Sequence, residues 1–479
     1  MIIKIKKILG GYPGGWEKYA RGTQGNSTPP FEQPTDPDDR RTQIPALGLR
    51  EYWYPALPAS GVSKNKPVGL RILGEDLVFF KDKAGIVQAL WDYCPHRGVY
   101  LSFGNCFFDG FISCPYHGAT FDGNGECVEF ITEGPDSKMV GNLKAKKFPT
   151  VTFKNTVFVW MGEGIPVPPE EDIPPEFFEG KETQIWVTYR YWACNWMIAL
   201  ENTLDAHNAF YVHRNALRVL FSQRGDLGGR PRTPLGYRTT VINDRTAAVI
   251  NNSETAGYYA DPITKKIPYK LFYPRVNAHW PKTSWRLTWV WIFKLSAKLM
   301  GNKRSPTAQR QKVDSIPDDW QGGSMRLPGM QRLIPLYTRW CVPVEKDLTR
   351  TIYVRFRRHK TWIGRLLGSL RYQLWDNFAT NFNFSDQDYD AMRTTRWQYP
   401  EYLSATDSHL VGERRLIAEY GRGNRNDIKV ADVTTAEAQV VALHEKQGVH
   451  WDDDYGQKRD KVARTVDSVG TSGRKKKKH

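Results

Sequence analysis

Four residues in two short runs carry donor atoms that could hold a redox metal cluster. Cys94-Pro95-His96 and Cys114-Pro115-Tyr116-His117 form the pattern C-x-H, seventeen residues, then C-x-x-H. Two thiolates and two imidazoles suit a [2Fe–2S] cluster in which histidines replace cysteines on one iron. That replacement removes negative charge and raises the reduction potential, so the cluster can act as a one-electron relay. Each run closes on glycine, in His96-Arg97-Gly98 and His117-Gly118. Glycine permits the tight turn that brings backbone N–H groups close to sulfur. Tetrahedral zinc accepts the same donor set, but zinc fingers group like ligands together. Here each run supplies one Cys and one His, which points to the iron–sulfur cluster.

A second set of donors follows. The chain has ten histidines, and between residues 180 and 270 only His207 and His213 occur. Both lie in Glu201-Asn202-Thr203-Leu204-Asp205-Ala206-His207-Asn208-Ala209-Phe210-Tyr211-Val212-His213-Arg214-Asn215. An aspartate and two histidines on one helix are costly to bury without a metal or hydrogen-bonding partners. Two His and one carboxylate with open positions make the facial triad of a mononuclear Fe(II) site.

The Cys94–His117 stretch resembles the Rieske domain of the Rieske non-haem iron oxygenases. The run from Glu201-Asn202-x-x-Asp205-Ala206 to Phe210-x-x-His213-Arg214-Asn215 resembles the iron-binding helix of their α (terminal oxygenase) subunits, in particular ring-hydroxylating and carbazole-type members. The resemblance covers roughly residues 46–415. It implies an α+β chain: an all-β Rieske domain, then a catalytic domain built on an antiparallel sheet of helix-grip type. It also implies that Cys94, His96, Cys114 and His117 hold the cluster, and that His207 and His213 hold Fe(II). Asp205 would bridge a cluster histidine of a neighbouring subunit to a ligand histidine of its own chain. Asn202 joins it as a candidate catalytic residue. Such bridging implies a head-to-tail homotrimer, a closed heterologous ring. The family's late helix often places the ligand Asp after an acidic or Gln residue, and Gln387-Asp388 matches. Asp388 is therefore the expected third ligand. Asp386 competes for that place, although an acidic residue there could simply load a helix N-terminus.

One departure stands out. The family usually places its first ligand His three residues after the Asp, where this chain has Asn208. From His207 to His213 an ideal helix turns about 600°, leaving the side chains roughly 120° apart. A π-bulge or a break would let them converge. Otherwise Asn208 serves as a carbonyl ligand, or the site is degenerate and the protein is an electron relay. Iron content separates the enzyme from the relay.

The surrounding elements must position these groups. Residues 1–45, rich in Gly, Pro, Thr and Asp, read as an extended arm. Residues 46–163 carry short β-type runs (Val68–Leu73, Leu77–Phe80, Ile86–Trp91, Phe111–Ser113, Val157–Trp160) separated by Gly-Asp, Gly-Asn and Asp-Gly turns. Residues 164–182 hold five prolines and read as a stiff linker. Residues 183–425 read as the α+β catalytic domain, with strands at Thr239–Asn251, Trp285–Phe293, and Trp340–Val344 paired with Arg350–Phe356. Residues 301–328 read as a long loop. Trp362–Trp375 is basic and amphipathic, with Ile363, Leu366, Leu367, Leu370 and Leu374 near one face, for which core packing is the expected role and contact with a membrane surface the lesser one. Residues 426–479 open with a capping box, Thr434 to Glu437, and end in the basic run Arg474–Lys478.

Composition bounds the rest. The chain's 479 residues exceed one core, and 40% hydrophobic residues with 17 Trp suffice for two or three. Six cysteines in such a chain make no disulfide framework, so Cys106, Cys127, Cys194 and Cys341 read as buried thiols, consistent with a cytoplasmic setting. The net charge of +17 would suit nucleic acid. The basic residues are spread along the chain with no binding motif, so the charge fits an acidic redox partner, an anionic membrane or simply a solvated basic surface. No window of eighteen apolar residues and no signal-peptide core stands out, which leaves peripheral membrane contact a minor reading. No flavin or nicotinamide motif is present, so a separate ferredoxin or reductase is expected to supply electrons. The expected activity is hydroxylation, dihydroxylation or dealkylation of an organic, aromatic or polycyclic substrate. A membrane-associated oxygenase of chlorophyll-breakdown or sterol type is the other enzyme reading.

Overall fold

Apolar residues alternating with polar ones, interrupted by tight turns, fold residues 53–160 into ten strands. They are β1 (Trp53–Pro58), β2 (Val68–Ile72), β3 (Glu75–Lys81), β4 (Val87–Trp91), β5 (Ile112–Ser113), β6 (Ala119–Phe121), β7 (Cys127–Phe130), β8 (Lys147–Phe148), β9 (Thr150–Phe153) and β10 (Thr156–Trp160). The computed structural model describes residues 39–203, 212, 237–251, 320, 323–333, 337–397, 399–403 and 407–423. Asp205, His207, Asn208 and His213 lie outside the described residues, as do the expected strand at 285–293, the capping box at Thr434 and the basic tail. The described chain forms two units, one of residues 49–173 and one of residues 39–48 with 174–423.

In the first unit the strands make three antiparallel sheets, ordered β1-β10-β9, β2-β3-β4-β8 and β5-β6-β7. Two hairpins close on two-residue turns. Leu73-Gly74 joins β2 to β3 and Lys154-Asn155 joins β9 to β10, all four with positive φ. That geometry matches the right-handed twist of the flanking strands. One apolar core, with Val78, Phe80, Leu90, Ile112, Phe121 and Phe130 among its members, encloses Cys94, Cys106, Cys114 and Cys127. All six cysteines are buried free thiols.

The second unit is built on a seven-stranded antiparallel sheet. Its strands are β11 (Thr183–Trp192), β12 (Tyr237–Asn243), β13 (Thr246–Asn251), β14 (Ser324–Arg326), β15 (Met330–Leu333), β16 (Tyr337–Glu345) and β17 (Leu348–Arg358), in the order β11-β17-β16-β15-β14-β13-β12. The expected β16–β17 pairing is present, with Trp340 opposite Ile352. The run 239–251 is a hairpin rather than one strand, turning at Asp244-Arg245. Helix α1 (Trp196–Glu201) packs on β16 and β17, and its Asn195 cap accepts a 2.9 Å bond from the Met197 N–H. After β17 come α2 (Trp362–Arg371), a π-helical stretch (Tyr372–Phe384), α3 (Ser385–Met392) and α4 (Ser408–Tyr420), the last packed on β12 and β13.

Two further expectations need correction. The segment 301–328 is not loop throughout, because Ser324–Arg326 pairs with both β13 and β15. Its alternation is too short for a sequence pattern, and pairing from both sides decides it. The apolar face of α2 does not pack into a core, since Ile363, Leu366, Leu367, Leu370 and Leu374 are exposed. Amphipathic period shows that a helix has an apolar side but not which way that side is turned.

The chain between the units divides at Ile173/Pro174. Val167 O accepts from the Trp53 indole at 2.8 Å within the first unit, and Glu176 pairs with Arg332 at 2.7 Å within the second. In the turn Arg40–Gln43, Arg41 donates to the carbonyls of Trp397 and Tyr399.

Candidate metal centres

The two ligand runs fold into matching loops. Cys94 N–H donates to Val99 O and Gly98 N–H returns to Cys94 O, both at 2.8 Å. Cys114 N–H donates to Ala119 O at 2.8 Å and Gly118 N–H to Cys114 O at 3.2 Å. Gly98 and Gly118 take φ of 71° and 70°, the left-handed region that favours glycine. In each loop the sulfur accepts from the backbone N–H two and three residues on: His96 and Arg97 for Cys94, Tyr116 and His117 for Cys114.

The two sulfurs also hydrogen-bond one another. That bond holds the Cys114 thiol down at about 6, against its burial and with help from the backbone N–H groups. The same bond, together with burial, pushes the Cys94 thiol up. The pair therefore holds a thiolate at neutral pH, the form that binds metal.

The imidazoles of His96 and His117 meet edge to face with ring centroids 4.7 Å apart. They are half-buried while both cysteines are buried. Phe130 lies 5.2 Å from the His96 ring and 6.3 Å from the His117 ring. Among the described residues no three His, Cys, Asp or Glu side chains converge on one point. A two-iron cluster needs only a cysteine pair on one iron and a histidine pair on the other. The donor set and the thiolate-stabilising backbone fit that cluster.

The first loop is anchored from below. Arg71 grips Asp76 with two bonds of 2.6 and 2.9 Å, both side chains buried, and the Tyr93 hydroxyl donates to Asp76 at 2.6 Å. Asp92 accepts from Ser102 N–H at 2.6 Å, and burial pushes its carboxyl well up. In the second loop, Ser113 and Thr120 hydroxyls bond at 2.8 Å across the β5–β6 pair.

In the second unit, Asn202 ends α1, buried, and its amide donates to Asp388 Oδ1 at 3.3 Å. The start of the expected iron-binding run thus meets the late carboxylate on α3. Asp386 faces elsewhere: Arg190 on β11 donates to it at 2.5 Å and also bonds Asn381 O at 2.7 Å. Three more contacts fix the end of α1. Gln331 bonds Leu200 O, and Arg339 bonds Ala199 O and the Thr203 hydroxyl. Glu201 binds Arg414 on α4 at 2.7 and 3.0 Å, and Arg414 also holds Glu401. Burial pushes the Glu201 carboxyl up to about 7, since its one arginine is shared with a second carboxylate. Burial works against the Arg414 charge, but its two carboxylates more than offset this and move it up.

Residues 52–149 match the family described as the Rieske [2Fe-2S] domain. This stretch is a Rieske domain. The Rieske fold accounts for both glycine-closed loops and for the split of cysteines from histidines. The chain is 36% identical over 229 residues to the terminal oxygenase component of carbazole 1,9a-dioxygenase from Sphingomonas sp., covering 46% of this chain and 58% of that protein. It is 32% identical over 251 residues to the phthalate 4,5-dioxygenase oxygenase subunit of Pseudomonas putida, covering 49% and 56%. The matched stretch thus spans a little over half the length of these curated relatives. Among solved structures, the carbazole 1,9a-dioxygenase terminal oxygenase of Novosphingobium sp. KA1 superposes with a TM-score of 0.59 at 23% identity, over 80% of this chain and 96% of that one. An oxygenase from a reduced oxygenase–ferredoxin complex of carbazole 1,9a-dioxygenase gives 0.57 at 20%, over 80% and 92%. These likenesses show the fold, an all-β Rieske domain followed by an α+β unit on an antiparallel sheet.

Several positioning residues escaped the sequence reading. Arg190 is one: it stands 196 positions from its partner Asp386, and no spacing rule links them. Phe130 carries no motif. A π-helical stretch lies at Tyr372–Phe384, just before Asp386 and Asp388. Such stretches often mark functional sites. Here Ser385 bonds Thr380 O, and Thr188, Tyr372, Asn377 and Asn381 form one hydrogen-bonded group along it.

Proposed function

We propose that this chain is a terminal oxygenase component. In it, Cys94, His96, Cys114 and His117 hold the Rieske cluster, while His207, His213 and Asp388 hold a mononuclear Fe(II). When bound, the cluster supplies one-electron transfer and the Fe(II) supplies a site where dioxygen reacts beside an organic substrate. The observation that carries the reading is the Asn202–Asp388 contact of 3.3 Å, together with the engagement of Asp386 by Arg190. The contact leaves Asp388 as the carboxylate beside the run that carries both histidines.

The chain's own groups have separate tasks. The bond from Cys94, helped by backbone N–H groups, favours the charged form of the Cys114 sulfur. The half-buried His96 and His117 rings bring the cluster edge within reach of solvent, where a donor protein can approach. Asn202 orients the Asp388 carboxylate through its amide. Asp205 couples the two centres across a subunit boundary in a head-to-tail trimer, by resemblance to the family. A separate ferredoxin is the donor, as in the oxygenase–ferredoxin complexes of the same fold. Carbazole and phthalate dioxygenase components among the relatives favour an aromatic substrate.

The test is iron content with electron paramagnetic resonance on anaerobically purified protein. Wild type is expected to hold a third iron beyond the cluster pair. Asp388→Ala should lose that iron while keeping the Rieske signal. A wild-type chain that keeps only the two cluster irons after Fe(II) is added would sink the reading and leave an electron relay.

A further inference from the structure

Helix α2 is turned inside out relative to a surface helix of a globular unit. On an ideal helix Trp362, Ile363, Leu366, Leu367 and Leu370 occupy an arc of about 140°. Such a stripe ordinarily faces the core. Here these residues, with Leu374 one turn on, are 45–66% exposed. The opposite side of the helix is the one that packs. Gly368 is buried, and a Cβ there would collide with the His359 ring. A Cβ at Gly364 would stand 3.2 Å from Thr361 Oγ1 and 3.3 Å from His359 Nδ1. Ser369 accepts from Gln184 of β11 at 3.3 Å. Glycines and a serine therefore fit the helix to the sheet, and the leucines are left outside.

The surroundings of this face are cationic. No Asp or Glu occurs between Asp347 and Asp376, while Lys360, Arg365 and Arg371 lie on or beside the helix; Glu179 and Glu182 come close at its start, and Glu179 is taken up by Arg358. Arg355, Arg357 and Arg371 converge on the single carboxylate of Asp376 at 3.3, 2.8 and 3.4 Å, so positive charge remains in excess there. An exposed Trp at the helix start, an aliphatic face and basic flanks are the features of a helix that lies in a membrane interface. A helix of ten residues is about 15 Å long, too short for its face alone to supply the ~800 Å² per partner of a stable protein interface. A second copy of the chain would also bring the same positive charge.

We propose that α2 docks on an anionic lipid surface, with Trp362, Ile363, Leu366, Leu367 and Leu370 in the acyl boundary and the basic side chains at the headgroups. The inference stands apart from the oxygenase reading. The test is flotation of the full-length holoprotein with phosphatidylcholine vesicles, with and without phosphatidylglycerol. Binding is expected to the anionic vesicles, and Leu366→Glu/Leu370→Glu should weaken it about tenfold or more with the cluster absorption unchanged. Brominated acyl chains should quench part of the tryptophan emission, a part missing in Trp362→Phe. Three outcomes overturn the proposal. One is no binding to either vesicle. Another is binding that survives Leu366→Glu/Leu370→Glu but is lost when Lys475–Lys478 are replaced by Gln. The last is unchanged vesicle binding in the double variant with an altered solution mass, which would assign the face to a protein partner.

Discussion

At the scale of single residues, the two ligand loops share a backbone frame but differ in what surrounds their glycines. Gly98 and Gly118 have almost the same φ, yet a Cβ at Gly118 would lie 2.7 Å from the Ile131 Cβ, while one at Gly98 meets nothing within 4 Å. Gly98→Ala should cost only the left-handed strain, on the order of 1–2 kcal/mol, and retain its cluster. Gly118→Ala adds a clash with a branched side chain and should lower cluster occupancy as well as stability. Visible absorption per chain compares them, and equal occupancy in both variants would refute the distinction. The two aspartates of α3 separate in the same way. Asp386→Ala leaves Arg190 buried without its carboxylate, a change that typically costs 3–5 kcal/mol. It should lower the melting temperature more than Asp388→Ala does, and Asp388→Ala should be the variant with the iron defect. Thermal denaturation paired with metal analysis reads both.

At the scale of elements, each centre depends on a buttress outside its own motif. Asp76 on β3 receives Arg71 and Tyr93 and so fixes the strand end that leads into Cys94. Asp76→Ala should destabilise the first unit by about 3–5 kcal/mol, because it removes the carboxylate that a buried guanidinium grips. Cluster loss should then accompany unfolding at lower denaturant, and an unchanged midpoint would rule the buttress out. In the second unit Glu201 ties α1 to α4 just before Asn202. Its folded pKa of about 7 lies above the ordinary 4.5. The folded chain therefore binds more protons than the unfolded one between those values, and this contribution to stability, full below 4.5, is lost as pH rises through 7. Glu201→Gln should flatten the stability profile across that window. Denaturation midpoints measured from pH 4.5 to 7 test this, and a parallel profile in wild type and variant would contradict it.

At the scale of the whole molecule, charge governs encounter. A net charge of +17 should draw an acidic electron donor by long-range attraction. Reduction of the cluster by an acidic ferredoxin should slow several-fold as salt rises from about 0.05 to about 0.5 M, where screening shortens the field to a few ångströms. A rate indifferent to salt would mean that docking rests on apolar contact instead. No helix among the described residues is long and apolar enough to cross a membrane.

The Rieske domain was legible in the sequence because its four candidate ligands and two glycines lie in runs of a few residues, where spacing restricts the local geometry. The same locality made β2, β3, β4, β10 and the β16–β17 pair readable from alternation and turn residues. The surroundings of Asp386 and Asp388 were not legible: both suit a helix start, and their partners, Arg190 and Asn202, arrive from distant strands and helices. The direction of the α2 face was likewise undecided by period, because amphipathicity has no sign until a neighbour packs. Glycines against His359 supplied it. Local chemistry was written in the sequence, and the tertiary structure decided which of several chemically equivalent groups meets which, since that depends on contacts between residues far apart in the chain.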